Sequence, residues 1–507
     1  MNKYSFSNGL VMAFIAYFSF GDLNQAFAQQ NSNNDRSSSS PVVTIGGFVN
    51  ATAGSRTQED AFGDDRLLDA KKGVANTGTH NRMTNNPDFT NEAEIHVKVA
   101  GINEFGMKYG AIVELQANTS PAARNEGVSA DKVYIFTESR MGKVELGNNS
   151  AVNQKMKVGP ETFARGAGGI NGKYLEYINL PMLADSSQVN TAIGGCSGGI
   201  PTDGSVAPDG DCANIKLPSF ILIPGSPIVH GGYARSAYDS SDYIDGDFSR
   251  YSDSNGPNSG ANDNNYRDGQ FGDLADASKI NYYTPRISGW QLGLTLTPDT
   301  GAGGTSATIS GDNSGDIKQA ISYGLNYSSN VGNLGFAVSA TGENGSYEGN
   351  SSGVKRNKLQ AYEAGFMATY LGFTVGASYG NWGDSLQPST GIYSCNYDSS
   401  ENLIDQNCSS SDSEEFSDAT YYTAGLAYQF GPFGSSVTYL ESNFQENQYE
   451  ALSFGIDYRM AKGLMPYAEV TKYEFQSNRP EIKNITSTNQ LKDNKGYVAL
   501  VGLLFSF

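Results

Sequence analysis

Charged side chains recur at alternate positions in two neighbouring stretches of this 507-residue chain. Over 89–100, Glu92, Glu94, His96 and Lys98 alternate with Ala93, Ile95, Val97 and Val99. Over 106–117, Lys108, Gly110, Glu114 and Gln116 alternate with Met107, Tyr109, Ala111, Val113 and Leu115. A period of two gives each stretch one greasy face and one hydrated, charged face, as in a strand with an apolar medium on one side and water on the other. Lys318, Glu363, Asp457 and Arg459 recur at hydrated positions of later stretches. Charges of both signs on a water-lined wall order water and bias passing ions; they make and break no bonds. An enzyme would need a nucleophile and a base in reach of one another. Of the three histidines only His96 falls on a hydrated face, so no catalytic pair is expected.

Other groupings lead less far. Gly166-Ala167-Gly168-Gly169-Ile170-Asn171-Gly172-Lys173 has the outline of a phosphate loop. Ala167 stands where the first glycine of that motif belongs, Tyr174 where Ser or Thr belongs, and no βαβ pattern surrounds it. Asp245-Gly246-Asp247 and Asn262-Asp263-Asn264-Asn265 offer oxygen ligands to Ca2+ or another divalent cation. No Glu occupies the twelfth position that an EF-hand requires, and solvated acidic loops are the simpler reading. No cofactor is expected beyond such a loop-bound cation.

The elements that must position these charges are strands. Lys3, the apolar run 10–20 and Ala26-Phe27-Ala28 form a signal peptide, 1–28, with cleavage expected after Ala28. No later run of 18 apolar residues could span a bilayer as a helix. A polar leader, 29–41, precedes a single all-β unit over 42–507. Sixty Gly and 30 Tyr with 17% charged residues suit many short strands, and a mean hydropathy of −0.42 is expected when only one face of each meets lipid. The net charge of −19 argues against nucleic acid and anionic lipid as partners. It is compatible with divalent cations bridging external loops to lipopolysaccharide, and it points to a preference for cations.

In an exported chain the cysteines also acquire a meaning. The four form two local pairs, Cys196 with Cys212 and Cys395 with Cys408, which read as two loop-stapling disulfides, each contributing about 3 kcal/mol. A metal site is the competing reading, but C-x-x-C spacing is lacking and His80, His96 and His230 are not near either pair in sequence.

A strand is expected at 42–53, then pairs at 89–100 with 106–117, 132–138 with 143–147, 279–284 with 290–298, and 317–327 with 334–341. Further pairs fall at 358–370 with 373–380, 419–430 with 434–441, and 451–460 with 464–475, and the last strand runs over 496–507. The sum is a transmembrane 16-stranded antiparallel β-barrel, an even count that leaves both termini on one side. Tyr327, Tyr370, Phe430, Tyr458 and Phe507 close every second strand at the same end, as an interfacial aromatic girdle would. The final strand puts Tyr497, Ala499, Val501, Leu503, Phe505 and Phe507 on one face, an aggregation hazard unless another strand closes against it.

This ending resembles the last strand of Gram-negative outer-membrane porins, whose terminal Phe is read by the barrel-assembly machinery. The resemblance to a general-diffusion porin of the alphaproteobacterial type is carried further by Val43-Thr44-Ile45-Gly46-Gly47-Phe48-Val49-Asn50 and Gly142-Lys143-Val144-Glu145-Leu146-Gly147-Asn148. Lys279-Ile280-Asn281-Tyr282-Tyr283-Thr284-Pro285-Arg286 and Ser288-Gly289-Trp290-Gln291-Leu292-Gly293 complete it. It implies a water-filled channel for passive diffusion of ions and small hydrophilic solutes, usually a homotrimer, with the third external loop folded into the lumen. Here that loop, 149–278, is far longer than usual. Its first part, 149–180, resembles the family's constriction segment; the remainder, with Cys196, Cys212 and the acidic 239–276, reads as an insertion that projects outward or caps the mouth. The resemblance implies a transverse field between Glu161 on the loop and bases on the wall, Lys98, Lys318 or Arg459, with Glu114, Arg165 and Asp457 also lining the pore. A sugar-selective channel, and a surface adhesin anchored by the barrel, are the alternatives.

Overall fold

The computed structural model describes residues 39–58, 87–117, 129–178, 277–299, 317–347, 357–385, 393–394, 409–410, 419–444, 447–476 and 494–507. Residues 181–276 of the predicted insertion, both cysteine pairs, the candidate calcium loops and the signal peptide lie outside the described residues.

Sixteen strands close into one antiparallel barrel. The first nine are β1 (Ser39–Gln58), β2 (Asp88–Ile102), β3 (Lys108–Gln116), β4 (Ser129–Ser139), β5 (Gly142–Asn148), β6 (Ser278–Tyr283), β7 (Trp290–Asp299), β8 (Ile317–Val331) and β9 (Leu334–Tyr347). They are followed by β10 (Leu359–Tyr370), β11 (Phe373–Gly383), β14 (Ala419–Phe430), β15 (Phe433–Phe444), β16 (Asn447–Tyr458), β17 (Leu464–Gln476) and β18 (Asn494–Ser506). Two further short strands, β12 (Tyr393–Ser394) and β13 (Ser409–Ser410), pair only with each other. Each barrel strand pairs with its neighbours in chain order, and β1 pairs with both β2 and β18.

That last pairing resolves the hazard of the apolar terminal strand. Phe48 to Gln58 lies in register with Ser506 to Gly496, and Phe507 exchanges backbone hydrogen bonds of 3.1 and 3.2 Å with Gly47. No edge is left on β18. The strands are longer than the alternation alone suggested: β1 reaches Gln58 and β9 reaches Tyr347. Their Gly-, Ser- and Thr-rich extensions lack apolar contrast, but the ladders of the neighbouring strands hold them.

The two faces differ as the alternation requires. Leu292, Leu294 and Leu296 of β7 are exposed on the outside, whereas Thr295 and Thr297, which alternate with them, are fully buried inside. At the short-turn end the outer face carries paired aromatics: Trp290 with Tyr327 at 4.7 Å, Phe373 with Tyr428 at 4.3 Å and Phe433 with Tyr458 at 4.7 Å between ring centroids. Tyr370, Phe430 and Phe507 stand exposed at the same end. Packing inside the barrel is unusual for its content. Ile170, Tyr174, Leu175, Tyr177 and Ile178 meet Trp382, Tyr421, Tyr449, Tyr473, Phe475 and Leu500 in a buried apolar cluster.

Candidate functional site

After β5 the chain does not leave the barrel. It forms helix α1 (Val152–Met156), then 3₁₀ turns at Pro160–Thr162, Gly169–Asn171 and Lys173–Glu176, all laid against the inner wall. α1 meets β6 to β9, Pro160–Thr162 meets β11 and β14, Gly169–Asn171 meets β15 to β17, and Lys173–Glu176 meets β18. A helix of five residues is too short to persist alone. It is held by the wall, and glycines in the wall let it approach. A Cβ added at Gly365 would lie 1.8 Å from the Val158 carbonyl oxygen, and one at Gly425 would lie 2.5 Å from Pro160. Both glycines are required for close approach of backbone to wall.

Polar tethers fix the register. Glu145, almost fully buried on β5, accepts from Lys143 at 2.6 Å, Lys155 at 2.8 Å, Asn149 at 2.7 Å and Asn281 at 3.0 Å. Thr295 Oγ1 accepts from the Val152 N–H at 2.9 Å, and Glu343 accepts from Asn153 at 3.1 Å. The Lys279 ammonium donates to the Ala277 carbonyl at 2.5 Å and to that of Asn149. Farther along, Arg165 forms a two-pronged pair with Asp457, its Nε 3.1 Å from Oδ2. Gly169 N–H donates to Glu469 at 3.2 Å, so this glycine run is bound to a wall carboxylate. Lys173 pairs with Glu92 at 3.0 Å, and the Arg56 guanidinium donates to the Tyr177 carbonyl at 3.0 Å.

Burial brings the Lys155 ammonium down to about 8, against the pull of Glu145 beside it. It remains charged at neutral pH with little margin. Lys157 is 3.5 Å from Glu363 and 3.7 Å from Glu161, with its ammonium 5.6 Å above the Tyr421 ring.

Beneath this segment lies a cavity of about 700 Å³. The bases on its lining are Lys132, Lys155, Lys157, Arg165, Arg286 and Arg459; the acids are Glu161 and Asp457. The wall sector from β2 to β5 adds Lys98 and Lys143, both over the Phe136 ring, at 5.7 and 5.5 Å. The acids that pair with Lys155 and Lys132, Glu145 and Glu114, are buried in the wall behind them. The cavity lining thus carries more ammonium and guanidinium groups than carboxylates.

The residues expected from sequence fall as follows. Arg165 and Asp457 are brought together as one ion pair, and Arg459 lines the same cavity. Lys98 and Glu114 are inside the barrel, Glu114 beside Lys132 at 2.9 Å. Glu161 lines the cavity beside Lys157 of its own segment, and its carboxylate accepts from the Ser378 hydroxyl at 2.6 Å and the Thr423 hydroxyl at 3.3 Å. Lys318 flanks a bulge, with a register shift between Lys318 and Ile321 and a left-handed Gln319 (φ 54°), so Ile317 and Ala320 enter the interior cluster in its place. Glu145 and Lys143 were missed although they alternate with Val144 and Leu146 in the same way as the charges of β2. Lys155 and Lys157 sit in a segment without strand periodicity, and no local signal marks them.

A family model described as Gram-negative porin matches residues 14–199 and 231–478. Among curated relatives, an uncharacterized protein of Rickettsia conorii is 25% identical over 430 residues, 74% of this chain and 85% of the relative. One of Rickettsia prowazekii is 25% identical over 476 residues, 83% of this chain and 94% of the relative. Among solved structures, a mutant Rh. blastica porin aligns over 92% of this chain and 100% of its own, at 13% identity and a TM-score of 0.44. A loop-deletion mutant of OmpT from Vibrio cholerae aligns over the same shares at 9% identity and a TM-score of 0.44.

Proposed function

The chain belongs to the Gram-negative porin family, and from that premise we propose that it forms a water-filled outer-membrane channel through which ions and small hydrophilic solutes diffuse passively, with anions favoured over cations. The observation that carries the selectivity is the cavity beneath the inner segment, with six basic side chains against two acidic ones. Overall charge suggested the opposite preference. Acidic and basic side chains are nearly equal in number among the described residues, so the net charge of −19 belongs almost wholly to residues outside them. Local charge at the narrow part, not the total, sets ion preference in a pore.

No bond-making group is needed for this activity, and the reading assigns none. Assembly as a homotrimer in the outer membrane, with Phe507 as the mark read by the assembly machinery, is part of the proposal and follows from the family. A sugar track is less favoured. Tyr174, Tyr421, Tyr449 and Tyr473 are all buried in the interior cluster, Tyr174 and Tyr449 bonded to each other at 2.7 Å, instead of offering open faces for stacking.

The test is conductance of the purified, refolded protein in a planar bilayer, first in symmetric KCl and then across a KCl gradient. Stepwise conductance with a reversal potential on the anion side is expected. Absence of conductance from protein shown to be folded and inserted would favour an anchor for a surface adhesin, and a reversal potential on the cation side would reject the selectivity.

A further inference from the structure

One cluster of ligating side chains is unused by the tethers described above. Glu94 and His96 stand two residues apart on β2 and so share a face. Glu114 of β3 is the direct cross-strand partner of His96. The three project from adjacent strands on the same side of the sheet, and their ligating atoms all lie within 4.8 Å of one another. His96 Nε2 is 2.8 Å from the Glu94 carboxylate.

The second observation concerns Glu114. It is 1% exposed, and its Oε2 accepts from Lys132 at 2.9 Å, but its Oε1 finds no hydrogen-bond partner among the described residues. A buried carboxylate oxygen left without a donor carries a desolvation cost of about 1–3 kcal/mol. A cation held by the cluster would satisfy it.

We propose that Glu94, His96 and Glu114 form a binding site for a divalent transition-metal ion of the zinc class on the inner wall of the barrel. One imidazole nitrogen and two carboxylate oxygens suit Zn2+, which binds such ligands at about 2.0–2.2 Å and leaves a fourth position for water. Bonds of that length around a tetrahedral ion separate ligand atoms by about 3.4 Å. The His96–Glu94 contact, now 2.8 Å, must therefore open while the widest separation in the cluster, within 4.8 Å, closes. Ca2+ fits poorly, because three side-chain ligands fall short of the about 6–8 oxygens it takes. Lys132 is the native competitor: its ammonium holds the other oxygen of Glu114 and must swing away, or share that carboxylate, as the ion enters.

The test is calorimetric titration of the full-length, detergent-solubilised protein with ZnCl2, which does not depend on whether the barrel conducts. One ion per chain is expected. His96→Gln should weaken binding by more than about 100-fold, beyond the loss typical of an outer-shell partner. Lys132→Met, which removes the competing ammonium and leaves all three ligands, should strengthen it. Lack of zinc binding by the folded wild type, or unaltered binding by His96→Gln, would overturn the proposal. Glu114→Gln adds a check that binding uses the buried carboxylate, and retention of full affinity by that variant would equally count against it.

Discussion

Replacing Glu145 by Gln tests how the inner segment is held. Glu145 is an acceptor for Lys143, Lys155, Asn149 and Asn281, and more distantly for the Tyr283 hydroxyl at 3.5 Å. An amide keeps one acceptor oxygen and turns an N–H2 group toward donors. Removing one partner of a buried ion pair ordinarily costs about 3–5 kcal/mol, because the other charge is stranded. Lys155 has an escape. Its ammonium already sits at about 8, so shedding the proton at pH 7 costs only about 1.4 kcal/mol. To this is added about 1–3 kcal/mol for an asparagine donor left without its acceptor. The total, about 2–4 kcal/mol, raises the fraction of time α1 spends off the wall by roughly 30- to 1000-fold.

Single-channel recording at pH 7 should then show added open-state noise and new conductance levels in Glu145→Gln. The pH dependence makes the test sharper. In the wild type the docked segment holds Lys155 at about 8, below the ordinary 10.5, so docking disfavours the protonated form. Raising the pH through 8 toward 10.5 therefore strengthens docking while removing one positive charge from the cavity. Anion preference should fall in a step centred near pH 8 without added noise. In Glu145→Gln the step should move below pH 8, since the carboxylate that kept Lys155 charged is gone. Wild-type noise together with a selectivity step still centred near pH 8 would refute the reasoning. Glu138→Gln is the control, because its pair with Lys108 is 3.7 Å long, exposed and worth little.

Three further outcomes are expected. Lys157→Gln removes a charge from the cavity lining; a unit charge at about 8 Å in water contributes about 0.5 kcal/mol, cut to about 0.2 kcal/mol by 0.1 M salt. The anion-to-cation permeability ratio from reversal potentials should fall about twofold, and an unchanged ratio would mean this lysine does not face the ion path. Gly365→Ala places a methyl group on the Val158 carbonyl and should displace the inner segment at about 1–3 kcal/mol, altering conductance, whereas Gly455→Ala, whose nearest neighbour is the Ser436 hydroxyl at 3.0 Å, should be milder. Equal conductance in the two variants would contradict the close-approach argument. Finally, β12 and β13 pair Ser394 with Ser409, and Cys395 and Cys408 adjoin these two residues in sequence. A disulfide between them should leave neither thiol open to alkylation in denatured, unreduced protein, with Cys395→Ser exposing Cys408; labelling of both in the wild type would exclude the bridge.

The sequence by itself determined the barrel. Alternation is a local property with a period of two, so Ile95, Val97 and Val99 or Leu292, Leu294 and Leu296 declare the outer face without reference to any partner strand. The free apolar edge of the last strand likewise demanded closure, and Phe507 bonded to Gly47 is that closure. The site was legible only in part. Arg165 and Asp457 were picked out separately, but their pairing spans 292 residues and follows from where the segment runs along the wall. Glu161 lines the cavity, but the Ser378 and Thr423 hydroxyls that its carboxylate accepts from come from β11 and β14 and adjoin it only after the barrel has closed. Ile317 displaced Lys318 because one extra residue at a bulge shifts the phase of a strand, and side-chain types do not show where a bulge falls. Within the inner segment no repeat links residue type to direction. Tertiary structure alone decided which of its charges face water, because the wall supplied the glycines that admit its backbone and the carboxylates that hold it.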